Sequence, residues 1–394
     1  MAEWLVAGGG IGGLATALAL QQQGIGSQLW EQADAFGEVG AGIQIGPNVT
    51  RILRRWGLGS ALEQVAVSPQ ALVSHDAVTG QCLGRLDLSD VARRYGAPYL
   101  TIHRADLHGL MLAALDPARV KTHLRRSLAE VHVDGAGALR VIDDQGQGWE
   151  PPALIGADGL WSRVRQQVWS DGDPLPTGHW AYRALLPTRL LPPRWREPLV
   201  RVWMAPGLHA VHYPVRRGDW LNLVVLVEAP EHAAQAGWDA QRKPEHIRAD
   251  VQRALRGLCH DLHDVLRPVE TWRAWSLWAR PDLQGPSQLA RGRVGLLGDA
   301  AHPMLPYLAQ GAGMAIEDAW QLAQCVDTMG EEELTKGLAT YAHARWARNA
   351  RVQRQARRNG EVFHARGPMA WARNTALRLA GPRLMDQPWL YGER

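Results

Sequence analysis

The chain is poor in phenylalanine and cysteine: its 394 residues include two Phe and three Cys. Cys82, Cys259 and Cys325 are odd in number, far apart and in no CxxC spacing. That argues against a disulfide framework and a thiolate zinc site, so no metal is expected. Long hydrophobic runs are missing too; no stretch of about 20 uninterrupted apolar residues occurs, as a spanning helix would need. Residues 4–20 are almost wholly apolar or Gly, yet five Gly interrupt them and no Lys or Arg precedes Arg51. A secretory signal needs a positive n-region there, so the expectation is a soluble, cytoplasmic protein with no stable membrane association. Apolar residues at 46% and charged residues at 21% exclude collagen-like and disordered classes. The length allows two or three domains and a full core without disulfide staples. What abounds is tryptophan: 18 Trp stand beside 7 Tyr, so indole has taken over work that Phe normally shares.

Net charge is +4 but unevenly spread. From Tyr341 onward eleven Arg face three acids, which gives that segment +8 and the remainder −4. Arg345, Arg348, Arg351, Arg354 and Arg357 recur every three residues with no aromatic platform among them, so the expectation is one basic, solvated helix and no nucleic acid partner.

Trp4–Ala7 is a short apolar run ending in Gly, the pattern of a buried parallel strand. A helical stretch follows to the natural stop at Gly24, and Ser27–Trp30 completes a strand, helix, strand unit. Further helices are expected over 47–56, 104–115, 244–257 and 311–326, and buried strands over 153–157 and 293–297. Between about 175 and 275 the texture changes to alternating segments, HAVHYPV and LNLVVLV, with turns at Pro206-Gly207 and Arg217-Gly218-Asp219. These read as an antiparallel sheet covered on one side. The predicted fold is therefore α/β: a discontinuous Rossmann-like nucleotide-binding domain (1–72, 100–175, 276–335), an inserted antiparallel-sheet substrate domain (73–99, 176–275) and C-terminal helices (336–394).

Gly8, Gly10 and Gly13 form GxGxxG between that first strand and helix. The three glycines suit a tight turn, close approach to a pyrophosphate and helix-to-strand packing. Glu31, eighteen residues after Gly13, is placed to accept from ribose hydroxyls of FAD or NAD. Asp299 decides between them: it ends a buried strand at the ligand-binding edge of the sheet, where an Asp can hold a polyol chain. The N–H groups at Gly311, Ala312 and Gly313 can stabilise the negative charge of a reduced flavin.

GADGLWSRVR around Asp158 and VGLLGDAAHPMLPYLAQGAGMAIEDA around Asp299, together with GxGxxG, resemble the three motifs of single-component FAD-dependent aromatic hydroxylases. The likeness runs over most of the chain. AGIQIGPN at 41–48 and YLTIHRADLHGL at 99–110 narrow it to the branch containing salicylate hydroxylase, 3-hydroxybenzoate 6-hydroxylase and 6-hydroxynicotinate 3-monooxygenase. The resemblance implies that Glu31 binds the adenosine ribose, Arg104 reaches the ribityl and pyrophosphate region, and Leu128 packs near the adenine. It gives Asp299 the ribityl chain, Gln44 a place beside the flavin ring, and Gly311 with Ala312 its pyrimidine edge. Asp158 and Arg165 belong to a motif that supports FAD and influences NAD(P)H use. With one dinucleotide fingerprint, NADH or NADPH is expected to bind transiently.

The implied reaction is hydride transfer to FAD, reaction with O2, and delivery of one oxygen from a flavin hydroperoxide to a small aromatic substrate such as salicylate or 3-hydroxybenzoate. A phenol activates its ring best as phenolate, so a nearby base is wanted, and His is the natural candidate. His209 and His212 fall on opposite faces of one strand, whereas His209 and Tyr213 share a face. The His209 and Tyr213 pair also resembles the branch pattern and is expected to activate the substrate hydroxyl, with His302 as a second candidate. Arg183 and Arg201 are candidate carboxylate partners. Cys259, His260, Asp261, His263 and Asp264 crowd together but fit no zinc spacing. Departures from the branch are Pro306, where some 3-hydroxybenzoate hydroxylases carry Gln, and Gln44, where a hydroxynicotinate enzyme has His. Two other readings stand: tailoring of a larger aromatic natural product, and a non-catalytic flavin-binding redox or regulatory protein. Monomer and homodimer are both open. Eight Trp (180, 195, 203, 220, 238, 272, 275, 278) fall in the inserted domain, and a few of them, with Tyr213, are expected to wall the ring pocket.

Overall fold

The computed structural model describes residues 3–37, 41–134, 137–229, 244–326 and 333–392; Trp238 lies outside them. A six-stranded sheet runs in the order Ala290–Arg291, Val294–Leu296, Leu154–Gly156, Trp4–Ala7, Ser27–Trp30, Val120–His123. All of its pairs are parallel except the edge strand Ala290–Arg291. The central strands are buried on both faces, as parallel strands between helices must be, which is why they read as continuous apolar runs. Helices Ile11–Gln22 and Gly311–Val326 pack on this sheet in one shared core.

The second sheet has seven strands: Arg273–Ala279, Leu175–Pro187, Trp220–Glu228, Leu208–Val215, Leu199–Ala205, Ala71–Asp76, Cys82–Asp87. It is not wholly antiparallel, because Ala71–Asp76 pairs parallel with Leu199–Met204. Side chains alternate with the same period in parallel and antiparallel strands, so the hydrophobic pattern cannot tell the two apart. Its last strand continues to Ala279, beyond the boundary expected at 275.

Strand alternation gives this sheet two unlike faces. Trp180, Tyr182, Trp203, Leu208, Leu221, Leu223 and Val225 form one, sealed by helices Pro244–Ala254 and His260–Leu266. The other carries His179, Arg183, His209, Tyr213, Asn222 and Glu228 in matching register and turns to the first domain. There Asn222 Oδ1 accepts from Gly42 N–H at 2.6 Å, and Pro214 O accepts from the Thr101 hydroxyl at 2.5 Å. A Cβ at Gly42 would come within 2.7 Å of Asn222 and of the Tyr213 ring, so only glycine allows the two domains to meet so closely.

The arginine-rich segment is helical over Leu334–Phe363, but it is not a solvated face throughout. Arg345 is buried, donating to Asp318 at 2.7 Å and Glu317 at 2.8 Å, and Arg348 also grips Glu317. A period of three shows charge but not partners, and the acids lie almost thirty residues upstream. Among the described residues no helix is long and apolar enough to cross a membrane, and no disulfide forms.

Candidate active site

A cavity of about 610 Å³ opens at the carboxyl edge of the six-stranded sheet. Gly8, Gly10, Glu31, Arg104, Leu128, Asp158, Asp299, Gly311 and Ala312 all line it, so nine of the sequence-derived positions converge. Gly8 takes a φ of +103°, and a Cβ there would lie 2.5 Å from the Ala157 carbonyl oxygen. Gly13 is not in the lining; a Cβ at Gly13 would stand 1.8 Å from the Gly8 carbonyl oxygen, so it is the packing glycine of the motif. Glu31 receives Gly9 N–H and Ala33 N–H on its two oxygens, each at 2.8 Å, which fixes the carboxylate at the end of its strand. Gly311 and Ala312 start a sixteen-residue helix whose open N–H groups point into the same space. Trp161 and Arg163, from the motif around Asp158, also line it, as do Arg126 and Ser127, which no motif had marked. An elongated cradle with a carboxylate at one end, glycine backbone in the middle and a helix N-terminus at the other fits FAD.

Arg165 does not line this cavity. It is buried, pairs with Asp171 at 2.6 Å and donates to the carbonyls of Ala300 and Ala301. Its place is therefore behind the cavity, bracing the Asp158 motif against the Asp299 motif. Asp158 accepts Val164 N–H at 3.1 Å, and burial pushes its carboxyl up from the ordinary value.

Gln44 likewise lies off the cavity, on the two-stranded ribbon Gly42–Ile45 with Leu100–His103. It accepts from the Tyr99 hydroxyl at 2.7 Å and lies within hydrogen-bonding reach of Tyr213. Tyr213 is buried, which raises its phenol, while the nearby Arg183 opposes that rise. Arg183 sits 5.2 Å over the Trp275 ring, and its buried Nε has no hydrogen-bond partner. Burial lowers its guanidinium below the ordinary value, with Tyr213 opposing and Arg104 reinforcing the shift. A half-buried cation with no anion beside it is costly, so this position suits an anionic group of a ligand.

His209 shares the face but not the partners of Tyr213. Four residues of extended strand separate the two by roughly 13 Å. The His209 ring packs against Tyr307, Phe363 and His364, and its Nδ1 lies 2.8 Å from His364 Nε2. Burial, then His364 and His179, hold its imidazole well below the ordinary value, so it is neutral at physiological pH. His179, Glu228 and His364 each bring one possible ligand atom within 4.8 Å of the others. These residues were not singled out in the sequence: His364 is 155 positions from His209, and no local pattern joins them.

Three other candidates are committed elsewhere. His212 stacks on Trp203 on the packed face, away from the first domain. Arg201, on that same face, pairs with Glu197 at 2.6 Å and lies over Trp195, so it does not join Arg183. His302 pairs with Asp318 in full burial. Burial pushes the Asp318 carboxyl up, but His302 and Arg345 outweigh it and hold the group well below the carboxylate range. The expected aromatic wall is also narrower: Trp180, Trp195, Trp203 and Trp272 belong to the packed core, which leaves Trp275 beside Arg183, Trp220 against the cluster holding Tyr213, and Trp278 edge-on to Trp161.

Residues 1–356 match the family described as FAD binding domain. The chain is 37% identical over 394 residues to a 3-hydroxybenzoate 6-hydroxylase of Polaromonas naphthalenivorans, covering 98% of this chain and 95% of that protein. It is 38% identical over 391 residues to a 3-amino-4-hydroxybenzoate 2-monooxygenase of Streptomyces platensis, with the same two coverages. The fold superposes on a single-substitution variant of Klebsiella pneumoniae HpxO in its FAD complex with a TM-score of 0.85, over 98% of this chain and 97% of that one, at 23% identity. The cradle, the motif order and these likenesses agree: the chain belongs to the FAD-binding family of aromatic-ring monooxygenases.

Proposed function

We propose that this monooxygenase hydroxylates a small phenolic acid, with its carboxylate held by Arg183 and its hydroxyl near His209. The observation that carries this reading is Arg183 itself, a partly buried cation over Trp275 with an unpartnered Nε, on the same sheet face as Tyr213 and His209. The curated relatives named for hydroxybenzoate and aminohydroxybenzoate support a substrate with both groups.

Glu31 and Leu128 would hold the adenosine half of FAD, the glycine loop and Arg104 its pyrophosphate and ribityl region, Asp299 its polyol and the Gly311 helix start its ring edge. When bound, FAD accepts hydride from NADH or NADPH and activates O2. The protein's own residues prepare the substrate. Arg183 and Trp275 fix the carboxylate end, Tyr213 and Gln44 line the middle, and neutral His209 takes the phenolic proton, which makes the ring electron-rich. The tightly packed Gly42, Tyr213 and Asn222 contact keeps water from the space between the sheets. The enzyme works in the cytoplasm.

The test is to load the purified protein with FAD and follow NADH and O2 consumption with salicylate, 3-hydroxybenzoate, 6-hydroxynicotinate and bulky phenols, identifying products. A small phenolic acid should stimulate both and leave hydroxylated. Turnover of bulky phenols alone, or flavin binding with no stimulated NADH oxidation, would remove the reading.

A further inference from the structure

His209 Nδ1 lies 2.8 Å from His364 Nε2, and His364 Nδ1 lies 3.1 Å from Glu228 Oε1. The line opens to solvent only at its far end: His209 and His364 are buried, at 2% and 3% exposure, and the Glu228 side chain is 30% exposed. The other Glu228 oxygen receives Arg366 at 2.7 Å, on a side chain 67% exposed. Two further groups face the line. His179 stacks on His364 with ring centres 5.5 Å apart, and its Nδ1 meets the Tyr307 hydroxyl.

Hydrogen-bond chemistry fixes the protons. A carboxylate only accepts, so His364 must donate from Nδ1. A neutral imidazole has one N–H, so His364 Nε2 is an acceptor and His209 must donate to it from Nδ1. The lone pair of His209 is then on Nε2, the nitrogen that His364 does not occupy. From these contacts we infer that Glu228 and His364 form a relay that sets the His209 tautomer and carries the substrate's phenolic proton to solvent. This rests on the reading of His209 as the base.

The step balances without any redox partner. The phenol O–H bond breaks as His209 Nε2 gains the proton. The Nδ1 proton of His209 passes to His364 Nε2, the Nδ1 proton of His364 passes to Glu228 Oε1, and Glu228 returns it to water. The flavin takes no part; Glu228 ends as it began, both imidazoles end in their opposite tautomers, and the reverse hops, with the phenolic product taking the proton back, restore them. His364 and Glu228 act through His209 and are positioning residues.

Glu228→Gln, Glu228→Asp, His364→Asn and His209→Ala are compared in the FAD-loaded enzyme with 3-hydroxybenzoate and salicylate, following product per NADH from pH 6.5 to 10. An amide at 228 can donate to His364 Nδ1 and reverse both tautomers, so Glu228→Gln should cut product formation about tenfold or more near neutrality. His364→Asn should do the same. Raising the pH toward the phenol's own pKa should restore much of the loss, because the substrate then arrives ionised; mere structural damage would not recover. Glu228→Asp, which keeps the acceptor, should retain more activity than Glu228→Gln. If His209→Ala lowers product formation while Glu228→Gln and His364→Asn behave as wild type at every pH, the relay is wrong and the base survives. If His209→Ala itself has no effect, both fall. A stoichiometric transition metal in the purified protein, lost in His364→Asn, would also overturn the relay, because it would occupy His364 Nδ1.

Discussion

On one face of the seven-stranded sheet Trp180, Trp203 and their aliphatic neighbours lie under two helices; on the other, His179, Arg183, His209, Tyr213, Asn222 and Glu228 turn toward the flavin domain. The strands are the same, and only the parity of the residue number differs. Histidine and arginine occur on both sides. On the packed face His75 stacks 4.2 Å from Trp203, His212 stacks on the same indole, and Arg201 is neutralised by Glu197. On the open face Arg183 has no anion bound to its Nε, and the histidines line up toward a half-exposed carboxylate. Residue type alone therefore does not mark a site; what matters is whether the polar group's partners are all supplied by the protein.

The largest effect that separates the faces is on stability. Trp203 is fully buried, and Trp203→Ala should cost about 3–5 kcal/mol in urea or thermal unfolding while turnover per flavin-loaded molecule stays near wild type. A loss of turnover per flavin with unchanged stability would erase the distinction. Arg183→Gln should do the reverse. Losing a charged hydrogen bond worth about 1.5–3 kcal/mol should raise KM for the phenolic acid roughly tenfold or more, with kcat and stability changing less. A phenol lacking the carboxylate should be indifferent to the change.

The smallest expected effect is on acid stability. Burial pushes His75 down to about 4 and His212 well below its ordinary value, so the folded protein refuses protons that the unfolded chain takes up below about pH 6.5. Stability should be full above that pH and decline as the pH falls toward 4. His212→Phe should flatten part of that decline, measured as urea midpoints at pH 7.5 and pH 5, without altering KM. An unchanged slope would mean that His212 takes its proton without penalty.

The flavin cradle was legible in the sequence because its parts are local. Glycines, Glu31 and Asp299 each stand at a strand end, and a buried parallel strand announces itself as an apolar run bounded by Gly or Asp. The helix Gly311–Val326 could be read to its ends for the same reason. Arg165 and Gln44 could be named from the motifs but not placed, since only packing shows that Arg165 braces two carbonyls behind the cavity and that Gln44 meets two tyrosines. The parity argument put His209 and Tyr213 on one face, yet could not show that their partners differ. His364 and Glu228 were illegible, because a helix end and a strand end more than a hundred residues apart share no pattern. The tryptophan excess was legible as chain-wide core filling: Trp30, Trp56, Trp195 and Trp203 are all buried, each with an indole N–H that finds no hydrogen-bond partner. Phe would need none there, so these indoles pack as bulk rather than as polar anchors.

The central claim is that the open face ionises its substrate through His209. Binding of 3-hydroxybenzoate or salicylate to the FAD-loaded protein, followed by ultraviolet difference spectroscopy at pH 7.5, tests it without turnover. Phenolate absorbance should develop with wild type and be lost in His209→Ala, with flavin content equal in both. Phenolate absorbance of equal size in the two proteins, or none in either, would contradict the account.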